Sequence, residues 1–358
     1  MRSVSRALMV LLLWSLCGLA AAQEIDPQPA AQARLAAEAL TLDVVQAGQR
    51  YIAVGERGHV LISTDGRSWN QAEFVPVQAT LTRATFAGGR LWAVGHDSTI
   101  IHSRDIGRTW ALQHFEPEWE KPLLDVHFFN ANQGLAIGAY GLYMRTEDAG
   151  SNWEVLAMAD MIISEDIDWE EAALAVQEVD EFEGLGVDEG DDEFYDASAD
   201  LDRGCYEFME CHLNAFLDLG DGHFLIAAER GYGFRSFDAG ESWEAFRFPY
   251  PGSMFGLKRV SEDEVLAFGL RGHVQYSADR GASWEIVETG LQSSLKGATR
   301  DPQGRTLIVG AGAARLRYDV ESGRFEISED RLGSTYAAVL FTADGTMILA
   351  GEDGLTHE

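Results

Sequence analysis

The stretch SRDIGRTW, from Ser103 to Trp110, decides the fold, because near-copies of it return along the chain. They read STDGRSW (Ser63 to Trp69), TEDAGSNW (Thr146 to Trp153), SFDAGESW (Ser236 to Trp243) and SADRGASW (Ser277 to Trp284). The steps from one Trp to the next are 41, 43, 90 and 41 residues, a period at which each unit of a repeat fold is one small sheet. The double step marks an insertion. Ahead of each box an apolar run ends on a small residue, at Gly55, Gly95, Gly138, Ala228, Gly269, Gly310 and Gly351, which makes seven units. Inside a unit, short runs such as LLDVHF, GLAIGA, GLYMRT and WEVL are bounded by Gly and Asp and read as strands. The expected fold is therefore all-β, a seven-bladed β-propeller of four-stranded antiparallel blades.

The box has a physical reading as the hairpin between the third and fourth strands. Asp65, Asp105, Asp148, Asp238 and Asp279 can accept hydrogen bonds from the turn's own backbone, and Gly107, Gly150, Gly240 and Gly281 can take a positive φ. Trp69, Trp110, Trp153, Trp243 and Trp284 then open the outer strand and pack between neighbouring sheets, each burying about 150–250 Å². These residues are folding devices in this reading, not catalytic groups.

Residues 1–22 carry Arg2, Arg6, an apolar core from Ala7 to Ala20 and a small-residue site at Ala20 to Ala22, the pattern of a cleavable secretory signal. A soluble periplasmic or secreted protein is expected, and no further stretch is apolar enough to span a bilayer. Residues 23–38 form an N-terminal segment and 39–358 the propeller, whose last unit runs out early. The segment between Ala30 and Ala37 is expected to supply the missing outer strand and close the ring. Cys205 and Cys211 form a candidate disulfide, with two free thiols as the alternative.

The formal net charge is −31. An acidic insertion at 158–208 holds much of it, with eighteen acidic residues and no Lys or Arg between Asp160 and Asp202. Such a chain has no electrostatic basis for binding nucleic acid. Glu165 to Val179 reads as a short amphipathic helix and Gly184 to Asp202 as a solvated loop. Neither half has the spacing of a calcium loop, so no metal and no cofactor is expected.

Turns between second and third strands read GERGH (Gly55 to His59), AERGY (Ala228 to Tyr232) and GLRGH (Gly269 to His273). They place Arg57, Arg230 and Arg271 at equivalent positions on the face opposite the boxes. The connections EWEKPLL, with Lys121, and PYPGSMFG, with Tyr250, Met254 and Phe255, lie near the same rim. Exposed apolar anchors beside guanidinium groups suit the carboxylates or terminus of a protein partner. No HExxH, GxSxG, P-loop or Cys–His spacing occurs, and an enzyme is not expected.

The boxes, the AVG-type runs and the phrases AFGLRGHV and YPGSMFG resemble the photosystem II assembly-factor-like propellers, the Asp-box (BNR) repeat family with an exported bacterial branch. The resemblance implies a non-catalytic accessory factor that docks on a membrane protein or complex, with Arg57, Arg230 and Arg271 as its patch. In the bacterial branch it also implies association with exporters of the resistance-nodulation-division type. A monomer is expected. The alternative is a propeller glycoside hydrolase or glycan-binding protein, because a pair of plain carboxylates carries no sequence motif.

Overall fold

The structure, a computed structural model, describes residues 25–163, 205 and 210–358. The residues read as a signal segment, and most of the acidic insertion with its expected helix and loop, lie outside the described residues. Seven antiparallel sheets follow one another along the chain. Their inner strands are Thr41–Ala47, Leu81–Ala87, Leu123–Phe128, Leu213–Asp218, Met254–Arg259, Leu295–Arg300 and Tyr336–Phe341, each packed beside the next and the last beside the first. The chain is a seven-bladed β-propeller.

Each second strand is apolar on both faces because it lies between two neighbouring blades. Val265–Gly269 is buried along its whole length, as are Gly134–Gly138, Phe224–Ala228, Thr306–Gly310 and Met347–Gly351. The small residue that closes it has a steric cause. A Cβ on Gly55 would collide with the carbonyl oxygen of Leu40, where the chain enters the inner strand. Every inner strand then shifts register after its first residue, from Thr41 to Asp43 in blade one and from Met254 to Gly256 in blade five. This bulge changes which side chains share a face.

Six blades have four strands and the seventh has three, Tyr336–Phe341, Met347–Gly351 and Gly354–His357. The expected outer strand from Ala30 to Ala37 does not form. The N–H of Ala30 donates to the Val75 carbonyl, that of Ala33 to Gln71 Oε1, and Gln32 Nε2 to the Ala72 carbonyl, so this segment lies along blade one. Ala36–Glu38 forms a 3-10 turn beside Gly354. Side chains close the ring without a shared strand. Val44, Tyr51, Ala53 and Leu61 of blade one pack with Ala338, Ile348 and Ala350 of blade seven. Tyr51 Oη accepts the Ala343 N–H, and Arg67 pairs with Asp344 at 3.1 Å.

Where the insertion leaves blade three, Met158–Met161 makes one helical turn, Met158 is buried, and Ile162 bridges to Trp243 of blade four. Cys205 and Cys211 are joined as a disulfide and are wholly buried with Met158, Tyr143, Phe234 and Trp243.

Candidate functional site

The box turns use their polar groups internally. In blade two, Ser103 Oγ donates to Asp105 Oδ1 at 2.9 Å and accepts the Gly107 N–H at 2.9 Å. Asp105 also accepts the Thr109 N–H at 2.9 Å and its hydroxyl at 2.7 Å. Asp148 is held in the same way by Asn152, Asp238 by Ser242 and Asp279 by Ser283. Asp65 takes the N–H groups of Ser68 and Arg67 and the Ser63 hydroxyl, which hold its carboxyl at about 2. Asp148 is lowered first by the Asn152 side chain. At Asp105, Asp238 and Asp279 partial burial pulls upward, and the turn's hydrogen bonds outweigh it. Gly107, Gly150, Gly240 and Gly281 have φ of 85°, 79°, 83° and 86°. Trp110 and Trp243 are buried between blades, whereas Trp69, Trp153 and Trp284 are half-buried.

On the opposite face the turns leave side chains outward. Arg57, Arg230 and Arg271 have φ of 55°, 56° and 53°, and Tyr140 takes the same place in blade three at 52°. The left-handed region costs a residue with a Cβ about 1–2 kcal/mol, and Gly, Asn or Asp would sit there with less strain. The following glycine is required by the next connection. A Cβ on Gly231 would meet the Tyr250 carbonyl, and one on Gly272 would meet Leu291. Arg57 and Arg271 are exposed, and Tyr140 is 50% exposed.

Ring order brings only part of the expected patch together. Arg230 and Arg271 are on adjacent blades four and five, and Arg57 is on blade one, with two blades between it and them in either direction. The Phe248 N–H donates to the Gly231 carbonyl and the Gly231 N–H to that of Gly252, which carries Tyr250 across the Arg230 turn. There Tyr250 stacks on His273, with centroids 3.4 Å apart and planes at 14°. Burial pushes the Tyr250 hydroxyl up, against the nearby Arg271. Burial also holds His273 below its ordinary value, so the ring is neutral near pH 7. Phe255 is half-buried under the Lys296 ammonium, 5.1 Å from the ring centroid. Lys121 Nζ reaches the Tyr140 carbonyl at 3.5 Å. Met254 corrects the sequence reading: it is wholly buried with Ala215, Ala227, Phe248 and Ala267, and offers no exposed anchor.

Sequence reasoning missed the His273 partner of Tyr250 and a charged clasp on the inner strands. Arg83 lies between two carboxylates, with Nε 3.4 Å from Asp125 and Nη1 3.6 Å from Asp43. Asp43 also accepts the Ala84 N–H at 2.9 Å, and Asp125 that of Phe216 at 2.8 Å, both across a blade boundary. Burial raises the Asp43 carboxyl despite Arg83. The signal was the third residue of each inner strand, read across the repeats.

These features define a propeller with one face of self-contained turns and one of projecting side chains. Among solved structures the fold is similar to "YCF48 bound to D1 peptide", with 14% identity, a TM-score of 0.62 and coverage of 94% of this chain and 96% of that one. It is also similar to "YCF48 from Cyanidioschyzon merolae", at 14% identity and a TM-score of 0.61 over 90% of this chain and 95% of that one. The WD40 propeller domain of Doa1 gives 12% identity and a TM-score of 0.60 over 89% and 92%. No protein-family profile and no curated protein sequence matches the chain.

Proposed function

We propose that the chain is an exported, non-catalytic assembly or accessory factor that docks a segment of a membrane protein on its arginine-bearing face. The observation that carries this reading is the occupancy of four equivalent left-handed turn positions by Arg57, Tyr140, Arg230 and Arg271. Arg57 and Arg271 are exposed there with no side-chain hydrogen bond or ion pair among the described residues, whereas Arg280, at φ 60° in a box turn, donates to the Leu219 carbonyl. Guanidinium groups beside Tyr250 and Phe255 fit an extended segment carrying carboxylates and apolar side chains. A protein of the same fold holding a peptide, as in the YCF48 structure, supports the same direction. Export is supported by the Arg2 to Ala22 pattern and by a buried disulfide, which belongs to oxidising compartments.

The test is crosslinking and affinity purification of the tagged protein from membranes of the source cells, with Arg57, Arg230 and Arg271 unchanged or all replaced by Glu. The reading predicts one membrane complex recovered by the wild type and lost in the folded triple variant. Equal recovery by both forms would remove the docking face.

A further inference from the structure

The ring of inner strands is divided by charge. In blades one to three, Asp43, Arg83 and Asp125 hold one another. In blades five and six, Met254–Arg259 and Leu295–Arg300 carry Lys258, Arg259, Lys296 and Arg300 and no carboxylate. Lys258 and Lys296 are two of only three lysines in the chain, the third being Lys121. On a protein of net charge −31, four cations without a carboxylate on adjacent strands are a local reversal.

None of the four makes an ion pair among the described residues. Arg259 donates to the carbonyls of Ser261, Leu219 and Glu262, and Arg300 to those of Val260 and Gly304. Lys296 meets the face of Phe255. Lys258 is half-buried and has no hydrogen-bond partner among the described residues. Burial, and then the Arg300 charge, hold its ammonium below the usual lysine value. A cation that gives up water without a counter-charge raises the free energy of the empty protein, and a bound anion lowers it.

Lys296 is the second residue of its strand and Lys258 the fifth of the neighbouring one. Equivalent levels on these strands place their Cα atoms three residues apart along the axis, roughly 10 Å. Two flexible lysine stems close that span around a ligand with two anionic groups. We propose that the inner wall of blades five and six binds a small polyanion, a di- or tricarboxylate or a phosphate compound, through Lys258 and Lys296, with the Phe255 ring beside it. This site borders the blade-five turn, whose Arg271 N–H donates to Ser294 Oγ two residues before Lys296, and it uses inner-strand side chains rather than the turn arginines.

The scarcity of lysine makes the test direct. Reductive methylation with ¹³C-formaldehyde keeps the charge and labels Lys121, Lys258, Lys296 and the amino terminus, and single Lys→Gln variants assign the signals. Citrate and pyrophosphate are titrated separately at low ionic strength. The proposal predicts saturable movement of the Lys258 and Lys296 signals with at least one of them while Lys121 stays still. Movement with citrate alone assigns a carboxylate ligand, and with pyrophosphate alone a phosphate one. In isothermal titration, Lys258→Gln and Lys296→Gln each weaken binding by about tenfold or more, the effect of losing a charged partner. No saturable movement, or equal drift of all three lysine signals with ionic strength, overturns the site.

Discussion

The two faces of the ring use one repeat in opposite ways. On the box face, Asp105, Asp238 and Asp279 bond to the serine or threonine hydroxyls and N–H groups of their own turn, in which Ile106, Ala239 and Arg280 and the glycine after each all take positive φ. On the other face, Arg57 and Arg271 occupy a left-handed backbone position themselves and extend exposed side chains. Recurrence of a residue type therefore has two causes in this chain. Where the recurring atoms satisfy each other, the repeat serves folding. Where Arg57 and Arg271 recur, their side chains extend without an ion pair or side-chain hydrogen bond among the described residues, and the proposal assigns them to a partner.

The largest effect that follows lies on the box side. Trp243→Ala removes a wholly buried indole between blades three and four and should cost about 3–5 kcal/mol in chemical denaturation. A loss well under 1 kcal/mol would break the assignment of that side to folding. Next comes the clip beside the arginine-bearing face. The Cys211 carbonyl accepts the Gly141 N–H of the blade-three turn, and the bridge spans a sequence separation of 6. Chain-entropy reasoning gives about 2 kcal/mol for so short a loop, read as a lower melting temperature in reductant.

Acid should then act through the boxes. The Asp65 carboxyl is held at about 2 in the folded chain, below its ordinary 3.8, and the other four box aspartates shift the same way. A depressed folded value means the stabilisation is complete above the unfolded value and is lost as pH falls through the folded one. Stability should thus decline between about pH 4 and pH 2, and Asp65→Asn should make that decline shallower. A slope that does not change in the variant would separate the box from acid stability. The smallest effect is expected on the opposite face. Arg57→Gly with Arg271→Gly relieves left-handed strain, offset by glycine's greater freedom when unfolded, so the melting temperature should hold or rise slightly. A fall of several degrees would mean that these arginines serve the fold.

The blade count, the strand order and the box turns were legible because each recurs at a fixed period. The exceptions were set by single residues. Met254 and Phe255 look equally available in PYPGSMFG, but the register shift after Met254 puts it into the core and leaves Phe255 half-exposed. The missing outer strand of blade seven invited a borrowed one, yet packing of Tyr51 and Val44 against Ile348 and Ala338 closes the seam without it. The clasp of Arg83 with Asp43 and Asp125 joins residues about one repeat apart, and no local pattern marks it. Equivalent turns were visible for Arg57, Arg230 and Arg271, whereas their unequal spacing around the ring appears only once the blades are in order.

The central claim is that one face docks a partner and the other does not. A photo-crosslinking amino acid placed singly at Arg57 or Arg271, and on the box face at Thr64 or Arg104, tests it most directly in intact cells. The account predicts a shared membrane-protein adduct from Arg57 and Arg271 and none from Thr64 or Arg104. The same adduct from the box face, with none from the arginine positions, would contradict it.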